Sequence, residues 1–226
     1  EALSVSFDDN LGHDYIEDAL ERFRALKNKE AKIRFHLEMF NKITHGGYEQ
    51  KTLNVVLAGT GVGKTAWMCD MASDNIMAGK NVLYLTMEDG EEKIAQRVDA
   101  NLLNIPLNEF DLMTEDGYLK RINKIKEKTI AKIKIKQYPP GEASVIHFKH
   151  LIRELKLKEN FIPDVIYIDY LGLCASSRKK NNEDSYSYVK AICEEVRGLA
   201  ITMKIPIWSG AQLNRSGNAN SDPSLA

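Results

Sequence analysis

The sequence predicts an α/β protein with a mainly parallel central sheet and helices on both faces. Three observations support this. From Ile33 onward, short β-rich apolar runs alternate with amphipathic stretches long enough for helices. One run, Val165-Ile166-Tyr167-Ile168, is apolar at every position, as suits a strand covered on both faces. A glycine-rich turn, residues 59–63, lies between the first strand and first helix of this region. Alternation at this spacing implies right-handed crossovers between parallel strands.

Ahead of the alternation, Asp14 can cap a helix with Tyr15, Ala19, Leu20, Phe23 and Leu26 along one face. Its other face carries Glu17, Asp18, Glu21, Arg22 and Arg24. Such a helix either packs on its own domain or docks on a neighbouring subunit. The charged stretch Lys27 to Ala31 is the expected boundary, giving a linker segment, 1–31, and a main domain, 32–226. In that domain Leu53 to Ala58 reads as the first strand, followed by a helix from Lys64 to Ala78 that Gly79 ends. Asn81 to Thr86 is the second strand. The next helix, Glu91 to Leu103, presents Ile94, Val98 and Leu102 on one side. Pro106 stops it, lacking an N–H and disfavouring helical geometry before it. A lysine-studded helix, Tyr118 to Ala131, leads to a strand from Lys132 to Tyr138 that Pro139-Pro140 ends. The series closes with a helix from Val145 to Lys158, a strand from Asp164 to Asp169, a long helix from Ser185 to Met203 and a strand led by Ile205-Pro206-Ile207-Trp208-Ser209.

With 43% apolar and 28% charged residues the chain can bury a core. No apolar run approaches the roughly 18 residues that span a bilayer, so no membrane role is expected. Cys69, Cys174 and Cys193 form no pair or metal spacing and suit a reducing cytosol. A net charge of −1 argues against a uniformly basic nucleic-acid coat but leaves room for a local basic loop.

Ala58-Gly59-Thr60-Gly61-Val62-Gly63-Lys64-Thr65 fits the phosphate-binding loop pattern at Gly63, Lys64 and Thr65, with Ala58 where the first glycine is usual. Glycines let backbone N–H groups approach phosphate oxygens, and the following helix N-terminus adds positive potential. Residues Gly59, Thr60, Gly61, Val62, Gly63, Lys64 and Thr65 are therefore the expected ATP-binding set. Lys64 would reach the β- and γ-phosphates and the Thr65 hydroxyl would ligate Mg²⁺.

Asp169 ends a buried strand, where an unpaired carboxylate is costly, and Mg²⁺ would supply its partner. Neither Tyr170 nor Leu171 after it can act as a base, so hydrolysis needs a carboxylate from elsewhere. Glu88 ends the second strand, read through Leu83-Tyr84-Leu85-Thr86-Met87-Glu88, at the carboxyl edge of the sheet and is assigned to orienting and deprotonating the attacking water. Asp89, Glu91 and Glu92 are rivals that read better as the start of the next helix, where negative charge is favourable. Arg178-Lys179-Lys180, among small polar residues, would grip a phosphate backbone or form a solvated loop.

The run Ala58 to Thr65, with Leu85-Thr86-Met87-Glu88, Ile166 to Leu171 and Ser209-Gly210-Ala211-Gln212-Leu213-Asn214, resembles the successive motifs of DnaB-type, RecA-fold replicative helicases, most of all those of T-even-type phages. The likeness extends over nearly the whole chain. It implies a RecA-like ATPase core, ATP with Mg²⁺, Lys64, Glu88 and Gln212 in catalysis, and Thr65 and Asp169 at the metal. Gln212 would sense the γ-phosphate and relay its loss to DNA-binding loops. The resemblance further implies a hexameric ring moving 5′→3′ on single-stranded DNA, a linker helix packed on the adjacent subunit, and the host cytoplasm as its location. Primase and a helicase loader are candidate partners. DNA-facing loops follow the Asp169 and Gln212 strands, which singles out Arg178, Lys179, Lys180 and then Arg215. Measured against the family pattern, the chain is expected to be C-terminally incomplete, with Arg215 a weak substitute for a trans-acting arginine finger. A RecA-type strand-pairing ATPase and an ATP-regulated loader module are the competing functions.

Overall fold

Parallel pairing throughout the sheet brings the carboxyl ends of all its strands to one edge, and that edge carries the candidate site. The computed structural model describes residues 12, 14–27, 32–178 and 185–212. In chain order the regular elements are α1 (Ala19–Lys27), α2 (Glu38–Ile43), β1 (Leu53–Ala58), α3 (Lys64–Met77), β2 (Val82–Thr86), α4 (Glu91–Leu103), α5 (Glu115–Lys128), β3 (Ile133–Gln137), α6 (Val145–Glu159), β4 (Val165–Asp169), α7 (Ser185–Met203) and β5 (Ile207–Gln212). The strands lie in the order β1-β5-β4-β2-β3. β2 and β4 are buried along their whole length, which the unbroken apolar run anticipated for β4. Register sets Thr86 beside Asp169 and Ala58 beside Gln212, so the terminal residues of four strands line up at the same edge.

Side chains alternate across each strand and divide the core in two. One face packs Leu83, Leu85, Ile166 and Ile168 against Phe148 and Ile152 of α6 and Ile192, Val196 and Leu199 of α7. The other packs Val82, Tyr84, Val165 and Tyr167 against Met68 and Met71 of α3 and Ile94 and Val98 of α4. Helices on both faces are thus what the sequence pattern specified. Phe35 and Tyr48 extend the second layer, meeting the Trp208 ring edge-on at 5.8 and 5.2 Å. A bridge between Ile33 and Tyr48 ties this segment down. Gly47 lies beneath it with φ +131°, and a Cβ there would sit 2.2 Å from the Ile33 carbonyl oxygen.

Element boundaries shift where local chemistry overrides periodicity. Asp14 Oδ1 accepts from the N–H groups of Ile16 and Glu17 at 2.9 Å, but it caps a turn, and α1 begins only at Ala19. The apolar side chains Tyr15, Leu20 and Phe23 stay exposed rather than packing on the main domain. α5 starts three residues before the expected Tyr118, because Thr114 accepts from the Gly117 N–H and two acids open the first turn. β5 runs past Ser209 to Gln212, since Ala211 and Gln212 pair with Leu57 and Ala58. Periodicity missed the short α2 and the 3₁₀ turns Leu107–Leu112 and Leu171–Leu173, each too brief to show a repeat.

Candidate nucleotide site

The loop between β1 and α3 takes backbone conformations that glycine adopts freely. Gly61 has φ +73° and Gly63 φ +106°, and neither has a neighbour within 4 Å of a notional Cβ, so conformation rather than crowding calls for glycine. No side chain caps α3 at Gly63, which leaves the helix's first N–H groups open to the cleft. Lys64 Nζ donates to the Ala58 and Gly59 carbonyls at 3.3 and 3.0 Å, bending over its own loop. Gly210 on β5 makes room for it: a Cβ there would meet Lys64 Cδ at 3.3 Å. Gln212 Nε2 donates to Thr60 Oγ1, joining the end of β5 to the loop.

Asp169 is 1% exposed. Its Oδ2 accepts from the Tyr84 hydroxyl at 3.1 Å, while Oδ1 is buried without a hydrogen-bond partner among the described residues. Burial raises its pKa; the nearby Thr65 and Tyr84 hydroxyls act the other way, and the charges of Glu88 and Asp89 add to the rise. A buried, orphaned carboxylate oxygen close to a threonine hydroxyl is a donor set suited to a hard divalent cation. The main chain around it is held firmly. Met87 N–H donates to the Asp169 carbonyl at 2.9 Å, Ser209 Oγ donates to the Ile168 carbonyl at 2.5 Å, and Leu171 N–H donates to Ser209 Oγ at 3.1 Å.

The acids at the end of β2 separate cleanly. Asp89 is bound to α4 by Lys93 at 2.6 Å and Arg97 at 3.0 Å. Glu91 accepts from the Gln137 N–H at 2.9 Å and so faces β3. Glu88 is exposed, lines the cleft and makes no ion pair among the described residues. The cleft encloses about 720 Å³, bounded by the loop, Glu88, Lys93, Arg97, Tyr170 and Gln212. Lys64, the open glycine loop and the uncapped N-terminus of α3 favour an anionic group at that end of the cleft.

The DnaB-like helicase C-terminal domain family model matches residues 33–226. The chain belongs to this family. It is 42% identical to the DnaB-like replicative helicase of Enterobacteria phage T4 over 234 residues, covering 100% of this chain and 48% of the relative. The chain therefore spans about half the length of that protein. Among solved structures, a DnaB-like replicative helicase studied with its interactions with primase superimposes with TM-score 0.71 at 19% identity, covering 96% of this chain and 52% of that one. A further solved ATPase domain gives TM-score 0.73 at 19% identity, covering 94% and 76%. These likenesses establish the RecA-like fold.

Within the family frame, the structure brings Gly59 to Thr65, Glu88, Asp169 and Gln212 to one edge of the sheet. Of the expected DNA contacts, Arg178 is exposed and lies 3.7 Å from Glu194. Lys179, Lys180 and Arg215 fall outside the described residues. The stem leading to Arg178 is fixed by Glu195 of α7, whose carboxylate accepts from Ser176 Oγ at 2.7 Å and Ser177 Oγ at 2.8 Å. Burial acts to raise the Glu195 pKa, but these bonds outweigh it and hold the group below its ordinary value. Sequence reasoning missed Tyr84, Arg97 and Glu195. The one visible signal was the i, i+4 spacing of Asp89 and Lys93.

Proposed function

We propose that residues 32–226 are the ATP-driven motor of a replicative DNA helicase and residues 1–31 its linker. The observation that carries this reading is the orphaned Oδ1 of Asp169, buried at the end of β4 beside the loop that holds Lys64 and Thr65. Thr65 and Asp169 would hold Mg²⁺, which when bound neutralises charge on the phosphate oxygens. Lys64 exchanges two loop carbonyls for the β- and γ-phosphates. Glu88, free of the cations that occupy Asp89, orients the attacking water and takes its proton. Gln212 already touches Thr60, so loss of the γ-phosphate would be felt at β5 and passed to the loop beyond it.

Arg178, Lys179, Lys180 and Arg215 would track the phosphates of single-stranded DNA, a salt-sensitive and sequence-independent grip. The exposed Tyr15, Leu20 and Phe23 of the linker suit docking on a second copy, and repetition of a head-to-tail contact closes a ring, here a hexamer. Translocation is 5′→3′, primase and a loader are further partners, and the host cytoplasm is the setting. The deciding experiment is unwinding of a forked duplex by the full-length protein with ATP and Mg²⁺. Unwinding that requires a 5′ tail is the expected result. Strand pairing without unwinding would favour a RecA-type ATPase, and nucleotide-dependent association without either activity would favour a loader module.

A further inference from the structure

Behind Asp169 lies a buried polar column that the chemistry above leaves unused. Register sets Tyr84 beside Tyr167 and Thr86 beside Asp169. Alternation then directs Tyr84, Tyr167 and Asp169 to the face covered by α3. On α3, Thr65 and Cys69 stand about one turn apart on the side facing this strip. Four helical residues rise about 6 Å and two strand residues about 6.6 Å, so Thr65 stays level with Asp169 and Cys69 with the tyrosines. Tyr84 is fully buried and lies flat on Tyr167, with centroids 5.8 Å apart and planes 16° apart. Cys69 Sγ donates to its hydroxyl from 3.8 Å, and that hydroxyl donates to Asp169 Oδ2 at 3.1 Å. The Tyr167 hydroxyl is engaged elsewhere, accepting from Asn75 Nδ2 at 2.7 Å, while Asn75 Oδ1 accepts from Tyr48 at 2.9 Å.

We propose that Tyr84 is a positioning residue for the divalent cation: its hydroxyl occupies Asp169 Oδ2 and thereby locks the carboxylate with Oδ1 presented to the metal beside Thr65. A carboxylate rotates easily about its last side-chain bond, so a donor fixed on Oδ2 sets which oxygen turns toward Thr65. The ring stack and the Cys69 thiol fix the donor in turn. Tyr84 is fully buried, does not line the cleft and acts through Asp169. The inference rests on the reading of Asp169 as a metal ligand, and the test separates the two.

The full chain is titrated with a fluorescent ADP analogue at increasing Mg²⁺, and again in excess EDTA. Loss of a hydrogen bond that orients a ligand typically weakens metal binding 10–100-fold. Tyr84→Phe, which keeps the ring and its stack, should raise the Mg²⁺ concentration for half-maximal affinity gain by roughly 10–100-fold while leaving affinity in EDTA unchanged. Tyr167→Phe removes an equally buried hydroxyl that does not face Asp169, and should leave the Mg²⁺ midpoint unchanged. An unshifted midpoint in Tyr84→Phe, or the same shift in both variants, would overturn the proposal. An unshifted midpoint in Asp169→Asn would instead overturn the metal-ligand reading beneath it.

Discussion

Replacing Asp169 with asparagine should stabilise the nucleotide-free protein while abolishing its metal-dependent chemistry. The carboxylate is 1% exposed, and one oxygen lacks a partner among the described residues. Leaving such an atom buried and unsatisfied costs about 1–3 kcal/mol. Asparagine keeps a carbonyl for the Tyr84 hydroxyl and puts a neutral amide where the buried charge was, so removal of the charge is expected to gain about 1–2 kcal/mol. For a chain of this size that corresponds to a rise in Tm of roughly 2–8 °C. The effect must also depend on pH. Burial raises the folded-state pKa of Asp169 above its unfolded value. Its contribution is therefore most favourable below the ordinary carboxylate range and is lost as pH rises through the raised value. The Asn variant should exceed wild type most at neutral pH, and the gap should close toward acid. Thermal melts of both proteins across this window, without nucleotide, give the difference directly. Adding Mg²⁺ and ADP should reverse the order, because only wild type gains the metal-dependent part of ligand stabilisation. A less stable Asn variant, or a gap that ignores pH, would show that the buried charge of Asp169 carries no such cost.

Other perturbations probe separate parts of the site and fold. Lys64→Ala removes the cation now resting on the Ala58 and Gly59 carbonyls, and ATP affinity by equilibrium titration should fall roughly 10–100-fold, the value of a charge-assisted hydrogen bond. Glu88→Gln should retain ATP binding and lower single-turnover hydrolysis by about 10²–10⁴-fold. Asp89→Asn should show a smaller loss, and the reverse ranking would transfer the base to Asp89. Gly47→Ala drives a Cβ to 2.2 Å from a carbonyl oxygen at φ +131°, so a loss of about 3 kcal/mol or more is expected in chemical denaturation.

Much of the site was legible because its chemistry is local. Glycine spacing, the adjacent Lys64 and Thr65, and an acid closing an apolar run are all neighbours in the chain, and the sheet gathers them at one edge. The preference for Glu88 over Asp89 rested on its reading as the strand end; β2 in fact stops at Thr86, two residues earlier, and Asp89 is paired with Lys93 and Arg97 while Glu88 lines the cleft. Tyr84 was not legible. Within Val82-Leu83-Tyr84-Leu85 it reads as core, and its role requires the β2–β4 register together with the phase of α3. Glu195 was hidden for the same reason, since nineteen positions separate it from Ser176 and only folding joins them. Element ends shifted where a cap or a pairing partner decided them, as Thr114 did for α5 and β1 did for β5.

A triphosphate and its metal are expected where α3 meets β4. A crystal structure of the protein with Mg²⁺ and a non-hydrolysable ATP analogue tests it most directly. Phosphates are expected on the backbone N–H groups of residues 60–65, with Lys64 turned from its loop carbonyls onto them and the cation held by Thr65 and Asp169. A nucleotide bound elsewhere, or a cation on the analogue with Asp169 still facing only Tyr84, would contradict it.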